Sequence, residues 1–144
     1  MATEGRQGED RAKSVRVLLV EDEFVVSMTL KLQLESRGYD VVGTASTAKA
    51  GIELACELRP DVVLMDIGLP DRDGVGAMKE IMDLAPTNII ILTAYSDHRV
   101  QQALDSGARL VLAKPILEEQ LIQAIDAVAG EKPGEAQGDS GDER

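Results

Sequence analysis

The chain has 144 residues, enough for one core of ordinary size and too few for two comfortable domains, and with one Phe, two Tyr and no Trp that core has to be aliphatic. A formal net charge of −11 argues against direct nucleic-acid binding and against anionic membranes, whose phosphates would be repelled. The single cysteine, Cys56, rules out an internal disulfide and a thiolate zinc site, and no apolar run approaches the roughly 20 residues of a membrane span.

Residues 1–14 are polar, balanced in charge and nearly free of large apolar side chains, and read as a flexible tail without the apolar centre of a secretory signal, so a cytoplasmic protein is expected. The first apolar run, Val15–Val20, lacks polar alternation, as a strand buried on both faces does, and ends in Glu21-Asp22. A helix is predicted over 23–37, stopped by Gly38. Within it, Val26 to Leu34 alternates like a half-buried strand, but a fifteen-residue stretch rich in Leu, Met, Lys, Gln and Glu favours helix. As a helix it carries Val26, Leu30 and Leu34 on one side and Val25, Met28 and Leu32 nearly opposite, so the second stripe is either unusually deeply buried or a partner surface.

A short strand at Val41–Val42 follows, then a helix over 46–58 capped by Ser46, in which Cys56 reads as a small buried hydrophobe beside Ile52, Ala55 and Leu58. Strand Val62–Met65 runs into Asp66 and the turn Ile67-Gly-Leu-Pro70, with Asp71 and Asp73 as loop acids before Gly74 and a helix over 74–84. Strand Ile89–Leu92 ends in Thr93. A helix over 97–106 is capped by Asp97 and stopped by Gly107, with His98 on the surface. Strand Leu110–Ala113 ends in Lys114, and the last helix, 117–129, carries Leu117, Leu121, Ile125 and Val128 as one apolar stripe. Residues 131–144 contribute −3 of the net charge and read as a second flexible tail, leaving one domain over 15–130.

Repeated β-α units with Val/Ile/Leu strands predict a parallel sheet between helices. All strands of such a sheet finish at one edge, so the polar residues ending four of the runs, Glu21-Asp22, Asp66, Thr93 and Lys114, should converge there. Asp22, Asp66 and Glu21 offer the hard oxygens that Mg²⁺ prefers. A carboxylate can also act as nucleophile and form an acyl phosphate, and Asp66, alone at the end of its strand, is the natural one. The transferring group spreads charge over three oxygens, which a lysine and a hydroxyl at Lys114 and Thr93 would meet.

Leu18-Leu-Val-Glu21-Asp22-Glu23, Leu64-Met-Asp66-Ile-Gly-Leu-Pro70-Asp-Arg-Asp73-Gly74, Leu92-Thr93-Ala94 and Ala113-Lys114-Pro115, spaced as they are, make residues 15–129 resemble the receiver domain of two-component response regulators. The resemblance implies a flavodoxin-like (βα)5 α/β fold with strand order 2-1-3-4-5. It implies Asp66 as the phosphorylated residue, and Mg²⁺ held by Asp22, Asp66, the backbone carbonyl of Gly68, and Glu21 directly or through water. It also implies Lys114 on the phosphoryl group before a cis Pro115, and Thr93 carrying the change into the surface of the fourth helix, fifth strand and fifth helix. The donor would be a phosphohistidine on a sensor histidine kinase or a phosphotransfer protein, and the output an unidentified downstream protein; the chain is read as a switch, not an enzyme.

The sequence departs from the family in two places. Val111 stands where many members keep an aromatic coupled to the threonine, so the signal has to use aliphatic repacking or Tyr95. Tyr95 could shield the phosphoryl group, and Gly68 has no side chain to orient an attacking water, so a long-lived phosphorylated form is expected, shortened in Tyr95→Ala. The Thr-Ala-Tyr-Ser run and the Lys-Pro-Ile ending are similar to receivers that precede a small RNA-binding antitermination bundle. Only an acidic tail follows residue 130, so that output is expected to be absent, in a single-domain regulator or a piece of a larger protein.

Three other readings compete with this one. A phosphatase with an Asp66 nucleophile would need a second Asp where Gly68 stands, and a nucleotide or flavin site would meet Glu21-Asp22-Glu23 where a glycine-rich phosphate loop is required. A receiver-like module that binds partners without being phosphorylated ranks below the phosphorylatable form, since Asp22, Asp66, Thr93 and Lys114 are all retained. The spare stripe of the first helix and the face of the fourth helix, fifth strand and fifth helix leave room for a homodimer.

Overall fold

A computed structural model of the chain describes residues 15–94 and 98–131; residues 1–14, 95–97 (with Tyr95 and Asp97) and 132–144 lie outside them. Strands and helices alternate in the order β1 (Arg16–Val20), α1 (Phe24–Ser36), β2 (Asp40–Ala45), α2 (Ala48–Leu58), β3 (Val62–Asp66), α3 (Gly74–Leu84), β4 (Asn88–Thr93), α4 (Val100–Asp105), β5 (Leu110–Ala113) and α5 (Glu118–Val128). The five strands are all parallel, in the order β2-β1-β3-β4-β5, which is the flavodoxin-like arrangement expected.

The side-chain period of two along each strand divides the core between the faces of the sheet. Leu18, Val20, Val63, Met65, Ile89 and Ile91 meet the apolar sides of α2, α3 and α4 on one face. Val17, Leu19, Val62, Leu64, Ile90 and Leu92 meet α1 and α5 on the other. Burying one such side chain stabilises by about 1.5–3 kcal/mol, more than the ~1 kcal/mol of a typical helix cap, so packing rather than capping decides where the helices lie. Gly38 and Gly107 follow α1 and α4 at φ of 92° and 117°, a left-handed backbone that glycine adopts without a Cβ penalty, as their place in the sequence suggested.

Some boundaries differ from expectation for identifiable reasons. β2 is longer than Val41–Val42 because it is an edge strand, bonded to β1 alone, and tolerates Asp40, Gly43 and Thr44. The cap of α2 is Thr47, whose Oγ1 accepts from Ala50 N at 3.1 Å, and not Ser46. Leu117 does not join the stripe of α5: it is the residue before the helix and is 63% exposed, while Leu121, Ile125 and Val128 are buried. Cys56 is half-buried against the core beneath α2, not fully enclosed.

Candidate functional site

The parallel register brings Val20, Asp66, Thr93 and Ala113 to the same edge, so the residues that end or follow β1, β3, β4 and β5 share one small volume. Asp66 is the last residue of the central strand and is buried. Its Oδ1 accepts from Gly68 N at 2.9 Å and its Oδ2 from Lys114 Nζ at 3.1 Å. Carboxylate oxygens of Glu21, Asp22 and Asp66 lie within 4.8 Å of one another, with Asp22 exposed and the other two buried. Thr93 is buried at the end of β4, its hydroxyl donating to the carbonyl of Ala94 at 2.9 Å. The Lys114–Pro115 peptide is cis.

Charge in this pocket is unbalanced toward the acids. Lys114 Nζ lies 2.8 Å from Glu21 Oε1 and 3.8 Å from Glu23 Oε1, so one ammonium faces several carboxylates. The Glu21 contact is an ion pair without the angle of a hydrogen bond, and Glu21 Oε1 is a buried oxygen with no directed donor. Burial pushes the Glu21 carboxyl up, and Lys114 and the amide of Glu23 only partly offset that. Burial alone would lower Lys114, but the Glu21 and Asp66 carboxylates outweigh it and hold the ammonium above the ordinary lysine value. Three convergent carboxylates facing a single ammonium are a donor set that could hold a hard divalent cation.

The turn between β3 and α3 is fixed at both ends. Ile67 N donates to Leu92 O at 3.0 Å, and Gly74 N to Ile67 O at 3.1 Å. A Cβ at Gly74 would lie 2.6 Å from Ile67 Cα and 2.9 Å from Asp66 O, so α3 can start against the end of β3 only with glycine there. Asp73 caps α3 through Val75 N at 3.3 Å and pairs with Arg99 Nη1 at 3.1 Å. Arg99 also donates to Ile67 O at 3.3 Å, joining the start of α4 to the residue after Asp66.

The residues singled out from the sequence, Glu21, Asp22, Asp66, Thr93 and Lys114, are thus brought to one edge, with the exposed Gly68 beside Asp66. The roles of Asp71 and Arg99 were not foreseen. Asp71 is more than a loop acid: its two oxygens accept from Ala48 N at 2.7 Å and Lys49 N at 3.0 Å, on a different helix. Those amides hold its carboxyl below the usual range. The only legible signal was an acid in a turn, since its partners are 22 and 23 residues away.

Beside the site, a groove of about 660 Å³ runs between α1 and the segment after β5, lined by Val25, Val26, Leu30, Pro115 and Ile116 with Glu23 and Lys114 at its rim. Phe24, Val25, Met28 and Leu32 leave an apolar stripe of α1 in solvent, resolving the two-sided helix into a core face and a free face. Among the described residues no helix is long and apolar enough to cross a membrane.

Comparison with known proteins gives a consistent result. The family described as the response regulator receiver domain matches residues 17–126. The chain is 41% identical over 118 residues to the transcriptional regulatory protein PdtaR of Mycobacterium tuberculosis, covering 81% of this chain and 58% of that protein, so it spans little more than half the relative's length. It is 35% identical over 116 residues to the chemotaxis protein CheY of Thermotoga maritima, covering 79% of this chain and 97% of that one. The crystal structure of the response regulator domain of Thermotoga maritima CheB superposes with a TM-score of 0.77 at 32% identity, covering 83% and 98% of the two chains.

Proposed function

Because the chain belongs to the response regulator receiver family, we propose that it is a phosphorylation-controlled switch in which Asp66 accepts a phosphoryl group from a phosphohistidine donor. The observation that carries this reading is the setting of Asp66: a carboxylate at the end of the central strand, held by Gly68 N and Lys114 Nζ beside two further acids.

In the transfer, an Asp66 oxygen attacks phosphorus, the bond from phosphorus to the donor imidazole nitrogen breaks, and the electron pair leaves with the ring while an acyl phosphate forms on Asp66. Lys114 moves its charge from the Asp66 carboxylate to an oxygen of the incoming group. The Thr93 hydroxyl, one residue beyond the strand partner of Asp66, turns from Ala94 O to the same group, and the face of α4, β5 and α5 responds. Glu21, Asp22, Asp66 and the backbone carbonyl of Gly68 would hold Mg²⁺, which supplies the positive charge that lets three carboxylates and a phosphoryl group share one pocket. A phosphohistidine protein reaching Asp66 has to cover the neighbouring surface, and the groove between α1 and the Pro115–Ile116 segment is apolar enough to receive it.

The test is intact mass after incubation with Mg²⁺ and a small acyl phosphate, on the native chain and on Asp66→Asn. One added phosphoryl group, absent from the variant and absent without Mg²⁺, is the expected result. A folded, Mg²⁺-binding chain that takes up nothing would instead indicate an adaptor that works without phosphorylation.

A further inference from the structure

We propose that Asp71 is a positioning residue for phosphoryl acceptance, bracing the turn that carries Gly68 against the first turn of α2 so that Asp66 keeps its orientation. The inference rests on the phosphoacceptor reading of Asp66 and adds to it a residue remote from the reacting atoms.

Asp71 stands three residues after Gly68, whose amide fixes Asp66 Oδ1. Between them Leu69 is buried and Pro70 restricts the backbone, so a displacement at 71 is not absorbed locally but passes back to Gly68. On the other side of the brace the amides belong to Ala48, which is fully buried, and to Lys49. The anchor is therefore the core end of a packed helix. The first-turn amides of α2 are divided: Ala50 N goes to the helix's own cap, Thr47 Oγ1, while Ala48 N and Lys49 N go to Asp71. This division separates holding the turn from merely stabilising the helix, because Thr47 performs only the second task.

The same contact draws two loops together around the acids. Ala45 and Ser46, just before α2, line a cavity with Glu21 and Asp22, and the two Asp71 contacts tie the 67–73 turn to the helix that begins two residues further on. Without the brace the 67–73 turn can part from α2, and Gly68 N can leave Asp66 Oδ1. Displacements of about 1 Å around reacting groups cost up to ~100-fold in rate, so a looser turn has room to produce a clear kinetic effect.

The experiment compares the full chain with Asp71→Ala, Asp71→Asn and Thr47→Ala, using two readouts: hydrogen exchange of the Gly68 amide, and the rate of phosphoryl uptake from a small acyl phosphate at saturating Mg²⁺. In Asp71→Ala, Gly68 exchange is expected to rise and uptake to slow by about tenfold or more. Asp71→Asn, which keeps an acceptor oxygen, should recover part of both. Thr47→Ala should speed exchange in α2 and leave Gly68 and uptake as in the native chain. Equal losses in Thr47→Ala, or an unchanged Gly68 amide in Asp71→Ala, would overturn the brace. Uptake missing from the native chain itself would overturn the phosphoacceptor reading and the positioning role with it, a failure distinct from an unchanged Gly68.

Discussion

Lys114 is the only lysine or arginine among the described residues whose charge is set against both Glu21 and Asp66, and its removal isolates one electrostatic contribution. In Lys114→Met the two buried carboxylates keep their mutual repulsion and lose their cation, so Mg²⁺ should matter more for stability. A cation at ten times its Kd stabilises the native fold by about 1.4 kcal/mol. The variant should gain roughly 1 kcal/mol beyond that, or about 4 °C in Tm for a domain of this size. Thermal unfolding with and without Mg²⁺ checks it, and an equal gain in both proteins would contradict a shared pocket. Gly74 makes a steric prediction at the same scale. A Cβ there meets backbone atoms, which cannot swing aside as a side-chain tip can, so Gly74→Ala should lower stability by about 1–3 kcal/mol in urea unfolding.

At the scale of an element, α1 shows what its alternating sequence means. The same leucine type lies on opposite faces, Leu34 fully buried and Leu32 58% exposed. Leu34→Ala should cost about 2–5 kcal/mol, whereas Leu32→Gln should change stability by less than about 0.5 kcal/mol, both measured as urea midpoints at constant slope. If Leu32→Gln also costs several kcal/mol, its face is covered in solution. The helix was legible from length and composition, and the two stripes were legible as stripes. Which stripe faced the sheet was not, because either could have supplied an apolar core face. Thr47 and Asp71 show the limit from the other direction: capping depends on where an acceptor stops in space, and the acceptor from Asp71 arrives from another loop.

At the scale of the whole molecule, ties between distant segments hold the layers in place. Tyr39, after α1, donates its hydroxyl to Asp126 in α5, and its burial followed by that carboxylate holds the phenol well above its ordinary value. A raised folded value means that the contribution is complete below the unfolded phenol value of about 10 and is lost as pH rises from there toward the folded one. Tyr39→Phe should therefore be less stable than the native chain by about 1 kcal/mol at neutral pH, with the gap closing above about pH 10; a constant gap in urea titrations up to about pH 11 would refute the coupling. The sequence by itself determined the class of fold, the parallel order through its family motifs, and the identity of Glu21, Asp22, Asp66, Thr93 and Lys114, because strand-end polar residues at one topological position converge in any parallel sheet. Tertiary structure alone decided the length of the edge strand β2, the free face of α1, the exclusion of Leu117 from the core, and the holds of Asp71 and Arg99 on the turn after Asp66. Each of these depends on which surfaces and hydrogen-bonding groups meet across loops, and neither periodicity nor spacing along one chain encodes that meeting.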